Sequence, residues 1–187
     1  VNSPITAAYA FCEGNDLPKN SYDGVFVETG PLTANSTFTV NFSGLANDQN
    51  ETFSSMVKSY AVRVDGSGAQ GSSAQSGASF SATNLNLFVN AMADGGGLYV
   101  KDGSITLDTA EIDAQGFGIA MRGESGDNVT INTTLTLTSR KTTGIYITGG
   151  SLTLNGETTV NSTINAGYAF CEGNDLPKNS YDGVFVE

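Results

Sequence analysis

The side chains that carry acid–base or nucleophilic chemistry are scarce in this chain. It has no histidine. A Ser-His-Asp or Cys-His pair, an HExxH helix and a histidine-built zinc site are therefore all excluded. The nearest approach to a catalytic set is Asp108, Glu111 and Asp113. Paired carboxylates can act as acid and base on a glycosidic bond. The plainer reading is a solvated outer face, and the sequence leads us to expect no catalytic residue and no enzyme.

Other motifs are weaker still. Gly66-Ser67-Gly68-Ala69-Gln70-Gly71 has the GxGxxG form after a strand-like run. A dinucleotide site needs a helix immediately behind it, and SSAQSGASF is not one, so a corner loop is expected. Acidic turns at Asp65-Gly66-Ser67 and Glu124–Asp127 offer oxygen ligands for calcium without an EF-hand or RTX spacing. Ordinary Asp-Gly turn chemistry accounts for them, so no cofactor is expected, with calcium the one candidate ion. Asn35, Asn41, Asn50, Asn128, Asn132 and Asn161 begin N-x-[ST] sequons.

Two cysteines occupy one repeated position, Cys12 and Cys171. They are too far apart to pair within one straight stack, and an outward Cys12 would serve as an inter-chain cross-link outside the cell. A buried free thiol is the competing reading. The same repeated segment contains EGNDLPKNSYDG, whose Glu13, Asn15, Asp16, Pro18, Lys19, Asn20, Tyr22 and Asp23 read as a projecting loop built on turn residues. A loop displayed once per repeat would support multivalent binding.

The elements that must position these residues are repetitive. Residues 9–28 and 168–187 are the same twenty letters, and the match runs back to Val1 against Val160 with differences only at Pro4/Thr163, Thr6/Asn165 and Ala8/Gly167. Residues 1–159 thus read as one unit and 160–187 as the start of the next, without a linker. The opening VNSPITAAYA has no Met and no basic start, as expected for a window on a longer array.

A shorter period lies inside the long one. Gly97-Leu98-Tyr99-Val100, Gly118-Ile119-Ala120-Met121 and Gly144-Ile145-Tyr146-Ile147 share the form small, apolar, variable, apolar. Gly167-Tyr168-Ala169-Phe170, Ala8-Tyr9-Ala10-Phe11 and Ser59-Tyr60-Ala61-Val62 read as further members. GLYVKDGSITLD (97–108) also aligns without a gap with GIYITGGSLTLN (144–155). Runs such as Ile105-Thr106-Leu107, Val129-Thr130-Ile131, Leu135-Thr136-Leu137, Leu152-Thr153-Leu154 and Phe38-Thr39-Val40 alternate strictly, the mark of strands with one buried face.

Recurrence of one Gly-led strand at about 23 residues favours a solenoid over a sandwich, because stacked coils put equivalent positions in columns. The expectation is an all-β stack of about seven coils per 159-residue repeat, advancing about 34 Å at one strand spacing per coil. Leu98, Ile119, Ile145 and Tyr168 should form one inward column. Val100, Met121, Ile147 and Phe170 should form the next, with Tyr99, Ala120, Tyr146 and Ala169 pointing outward.

The segments GGGLYVKDGSITLDTAEIDAQGFGIAM and GIYITGGSLTLNGETTVNSTI resemble the passenger regions of bacterial autotransporters and filamentous adhesins. GGGLYV is similar to the GGA-[ILV] motif of polymorphic outer-membrane autotransporters. The resemblance covers roughly Gly95 to Ala166. It implies a right-handed parallel β-helix, export across the envelope and a role in adhesion.

Composition agrees with a surface structure. The net charge is −11, from 8 basic and 19 acidic residues, and only 14% of residues are charged. Nucleic acid and anionic membranes call for clustered positive charge, and no apolar run reaches a membrane span. The expected role is an extracellular scaffold, filament or adhesin. Its partners would be further copies of itself and surface glycans or proteins of a host or neighbouring cell. The competing roles are a carbohydrate-active β-helix enzyme or phage-type spike, and an all-β sandwich binding module.

Overall fold

In the computed structural model, described residues are 2–4, 23–43, 60–66, 77–90, 96–121, 126–140, 143–163 and 183–186. They form strands β1 (Asn2–Pro4), β2 (Val25–Val27), β3 (Pro31–Ser43), β4 (Tyr60–Asp65), β5 (Ser79–Asn90), β6 (Gly96–Lys101) and β7 (Ser104–Ala114). There follow β8 (Phe117–Met121), β9 (Asn128–Ser139), β10 (Ile145–Ile147), β11 (Ser151–Leu154), β12 (Glu157–Ser162) and β13 (Val184–Val186). The alternation of apolar residues with Thr, Ser and Asn specifies strands of this kind, because it gives each one apolar face.

The strands sort into two sheets in which neighbours run parallel. Sheet A has the order β1-β3-β5-β7-β9-β11, with β12 pairing beside β11 on β9; sheet B runs β13-β10-β8-β6-β4-β2. From β3 to β10 the chain alternates between the sheets, and each new strand is laid beside the previous strand of its own sheet. Parallel strands need such crossovers.

The two sheets enclose one core. Val62, Leu98, Ile119 and Ile145 of sheet B and Leu87, Ile112 and Leu137 of sheet A belong to it, each at most 1% exposed. Burying a side chain of this size contributes about 1.5–3 kcal/mol, and the residues recur in register. Leu98 pairs with Ile119 and Ile119 with Ile145; Val100 pairs with Met121 and Met121 with Ile147.

Small residues set the corners where the chain enters sheet B. A Cβ on Gly118 would meet the Leu137 side chain at 2.3 Å, and one on Gly144 would meet Val160 at 3.0 Å and Leu137 at 3.1 Å. At the other corner a backbone ladder climbs from strand to strand: Ser79 N–H donates to Gly30 O, Ser104 to Ala78, Asn128 to Gly103 and Ser151 to Asp127. Sheet A bends midway. Its register slips between Ala34 and Thr37 and between Leu107 and Thr109. At the same level a Cβ on Gly156 would lie 1.8 Å from Thr133 O, so only glycine lets β11 turn into β12 there.

Three expectations are corrected. First, the path from Val25 to its repeat equivalent Val184 takes five steps of sheet B, through Val62, Leu98, Ile119 and Ile145, not seven. The short spacing of the third and fourth steps, from Leu98 to Ile145, does not extend to the others, whose strands are separated by much longer connections. Second, the column after Ile145 and Ile147 continues with Val184 and Val186, not with Tyr168 and Phe170, which lie outside the described residues. Gly183-Val184-Phe185-Val186 has the motif form as well, and its equivalent Gly24-Val25-Phe26-Val27 takes the place expected of Ala8–Phe11. Likewise Ala61-Val62-Arg63-Val64, not Ser59–Val62, is in frame, since Val62 pairs with Leu98 and Val64 with Val100. Third, Tyr99, Ala120 and Tyr146 do lie on the far side of sheet B from the main core, but they are buried there, at 8%, 0% and 2% exposure. Ala169 lies outside the described residues.

Candidate functional site

Three surfaces carry the side chains with chemical or binding potential. The first is the outer face of sheet A. In-register pairing aligns Thr33, Ser81, Thr106, Thr130 and Thr153 in one hydroxyl column, and Ser81 Oγ donates to Thr33 Oγ1 at 3.1 Å. At the bend, Asn132 Nδ2 donates to Asp108 Oδ1 at 3.1 Å, and Asn155 Nδ2 to Asn132 Oδ1 at 3.4 Å. Side-chain amides stacked this way satisfy each other from strand to strand.

The carboxylate set Asp108, Glu111 and Asp113 lies on this face. Asp108 and Glu111 are exposed and Asp113 half-buried. Asp113 is held by a fork from Arg140, with Nη2 at 2.7 Å from Oδ2 and Nη1 on Oδ1. A carboxylate committed to a guanidinium is poorly suited to shuttle protons. The sequon residues Asn35, Asn41, Asn128, Asn132 and Asn161 are exposed here too, and Asn50 lies outside the described residues.

The second surface is the outer face of sheet B, an aromatic column. Tyr60 and Tyr99 have ring centroids 4.7 Å apart; Phe117 and Tyr146 are 5.4 Å apart, and Tyr146 stacks on Phe185 at 5.4 Å. Arg63 lies among these rings, its guanidinium 5.5 Å from the Phe26 centroid and 5.2 Å from that of Tyr99. It also bonds Asp65 Oδ2 at 2.5 Å and approaches Asp23 Oδ2 at 3.8 Å. Asp23 accepts from Tyr60 N–H at 2.7 Å, and its side chain is fully buried. Asp23, read from sequence as the end of a projecting loop, is instead an anchor that ties β4 to the start of β2. A buried ionised carboxylate is retained where a cation and hydrogen bonds meet it. Glu13, Asn15, Asp16, Pro18, Lys19, Asn20 and Tyr22 lie outside the described residues, as do Cys12 and Cys171.

The calcium candidates resolve differently. Asp65 is buried and bonded to Arg63. Asp127 is 1% exposed; its Oδ1 accepts from Gly103 N–H at 3.1 Å, while its Oδ2 has no partner. Burial, with the charges of Asp102 and Asp65, pushes the Asp127 carboxyl above the ordinary carboxylate range, against the opposing backbone bonds. Among the described residues no group of three or more His, Cys, Asp or Glu is placed to hold a metal ion. Of the GxGxxG segment only Gly66 is described.

The third surface is formed by the edge strands themselves. Val184 and Val186 on β13 are 51% and 66% exposed, while their repeat equivalents on β2, Val25 and Val27, are half-buried and 7% exposed. Sequence reasoning missed this surface and the Arg63 cluster. For both, the signal was the Gly/Ala-apolar-x-apolar form, read two residues out of frame at Ala61 and not applied at Gly183. Among the described residues no helix is long and apolar enough to cross a membrane. Comparison of the chain with protein-family models, with curated proteins and with solved structures finds no match.

Proposed function

We propose that the chain is a section of a tandem-repeat β-solenoid, a right-handed parallel β-helix of five coils per 159-residue repeat. Its role is that of an extracellular fibre segment: scaffold, filament or adhesin. One observation carries this reading. Val25-Phe26-Val27 and Val184-Phe185-Val186, the same residues one repeat apart, occupy opposite edges of one sheet, five parallel steps from each other. Sheet A agrees: β1 pairs through Asn2 with β3, while its equivalent Asn161 pairs with β9.

Such an arrangement suits a structural role. Each coil buries its inner residues against the coils on either side, so length can grow without redesign of the core. Among the described residues the outer face of sheet A is mostly polar, with Phe88 exposed on it and Asp113 held by Arg140, a surface suited to a spacer or to repetitive binding. Self-association along the axis and repeated contact with cell-surface glycans or proteins are the partnerships this geometry favours. The low content of charged side chains and the resemblance to autotransporter passengers support a location outside the cell.

The test is electron imaging and fibre diffraction of native material. A thin fibre with 4.8 Å axial stacking and a repeat of about 24 Å is expected, five strand spacings per unit. Separate globules without a 4.8 Å layer line would overturn the solenoid. Fibres retained on cell surfaces or immobilised glycans mark an adhesin, and fibres that pass both mark a spacer.

A further inference from the structure

One side chain on the outer face of sheet A departs from the polarity around it. Phe88 is 43% exposed, the one aromatic ring among the large apolar side chains left open to solvent in the described residues. β5 is paired along both edges, with β3 and with β7. The exposure of Phe88 therefore belongs to the face of the sheet and not to an edge. A lone apolar side chain on a surface is ordinary; this one is ringed by groups of a particular kind. Asn41 and Asp113 flank it in register, one strand spacing or about 4.8 Å to either side. Asn86 and Asn90 share its face two residues away along β5, a distance of about 6.6 Å. Asn41 and Asn90 are exposed and Asn86 is half-buried. Arg140, just past β9, holds Asp113 with Nη2 at 2.7 Å from Oδ2.

We infer that Phe88 and the amides around it form a subsite for a neutral pyranose, an inference that rests on the adhesin reading and names its ligand. A pyranose has two unlike parts: a flat face of C–H groups, and hydroxyls that project from its rim. The phenyl ring offers a flat apolar surface whose electron-rich face attracts polarised C–H hydrogens. The amides of Asn41, Asn86 and Asn90 each donate and accept, as sugar hydroxyls do. The Arg140 guanidinium, fixed on Asp113, adds donors in one plane. Charge then selects among sugars. Asp113 lies beside the ring, exposed Glu111 is paired with Asn86, and the chain carries a net charge of −11. Uronic and sialic acids are repelled by such a surface, whereas uncharged gluco- and N-acetylglucosaminyl units are not. A flat sheet leaves the other face of the sugar in water, so one site holds it weakly. One such site per 159-residue unit, about 24 Å apart at five strand spacings, holds a polymer through many weak contacts.

The experiment is native gel electrophoresis of the full-length chain through gels that contain hydroxyethyl cellulose, glycol chitin or polygalacturonate. The wild type is compared with Phe88→Ala, Phe88→Trp and Thr106→Ala, the last on a distant column of the same face, and circular dichroism reports the fold. The expected result is retardation of the wild type by at least one of the two neutral polymers and not by polygalacturonate. Phe88→Ala weakens it by about tenfold, the scale of one aromatic contact; Phe88→Trp keeps it, and Thr106→Ala behaves as the wild type. If Phe88→Ala loses its β spectrum, Asn90→Ala at an exposed position takes its place, with weaker retardation again expected. A folded wild type that neither neutral polymer retards overturns the subsite and leaves the fibre reading standing, as does retardation that these changes leave untouched. Stronger retardation by polygalacturonate overturns the assignment to neutral sugars. Absence of the 4.8 Å axial spacing overturns the fibre reading alone, since the gels judge Phe88 independently of it.

Discussion

Asp127 is the residue on which the stack spends stability. The other acceptors of its corner ladder, Gly30, Ala78 and Gly103, are all small; here a carboxylate is enclosed, its Oδ2 without a hydrogen-bond partner among the described residues. Its folded-state pKa is raised, chiefly by burial. The native state therefore holds that proton more tightly than the unfolded chain does. The contribution of this site is most favourable below the unfolded carboxylate range and falls as pH rises through the raised folded value. Asp127→Asn keeps the Gly103 bond and removes the charge. We expect it to stabilise by about 1–3 kcal/mol at neutral pH and by little at acid pH, read from urea unfolding at both. Equal shifts at the two pH values would disprove the buried charge. Arg63 is the opposite case, a cation whose removal takes the positive charge from beside the Asp23 and Asp65 carboxylates. Arg63→Met should cost about 3 kcal/mol or more, the penalty for breaking a buried pair from one side; chemical denaturation measures it, and a loss near zero would show that water already solvates both carboxylates. Asp127 and Asp65 were legible only as acidic turns. Burial that depends on the strands above and below leaves no local mark in the sequence.

At the scale of the element, alternation told the inner face from the outer one reliably. Ile105, Leu107, Val129, Ile131, Leu135 and Leu137 are all buried, while Thr106 and Thr136 between them are exposed. It could not tell what covers the other side. Tyr99 and Tyr146 alternate away from the main core like Thr106, yet they pack in a second, aromatic cluster. Position parity reports orientation; burial depends on whether something packs on that face. The consequence is measurable. Tyr146→Ala should destabilise by about 3–5 kcal/mol, as for other buried aromatics, and as much as an inner-face change such as Ile119→Ala, for which about 2–5 kcal/mol is expected. Thr136→Ala, equally outward by parity but exposed, should stay within about 0.5 kcal/mol. Thermal or urea unfolding of the three variants decides between a covered and an open face of sheet B.

At the scale of the whole molecule, the long repeat was fully legible because it is written as identical letters, whereas the number of sheet steps that separate its two copies was not. The gapless match of 97–108 with 144–155 invites one spacing throughout, and the two steps from Leu98 to Ile145 obey it. The steps on either side carry longer connections between strands that still advance the stack by one place each. A connection costs little extra free energy as it lengthens, since closure entropy grows only with the logarithm of its length. Connection length is thus free to vary while the ladder is not, so a count based on residues per step fails where the strand pairings give five. The same columns give a test with an internal control. Val25-Phe26-Val27 and Val184-Phe185-Val186 share sequence and neighbours, so their intrinsic amide exchange rates are closely alike and any difference reports the environment. In the single chain β13 should exchange faster than β2. The margin is about one valine burial, roughly 1.5 kcal/mol or about tenfold in rate, with β5, β7 and β9 slowest because both their edges are paired. Hydrogen-exchange mass spectrometry resolves the two segments. Equal protection of the two segments would mean that β13 is as well shielded as β2, and the difference in exposure between Val186 and Val27 would not hold in solution.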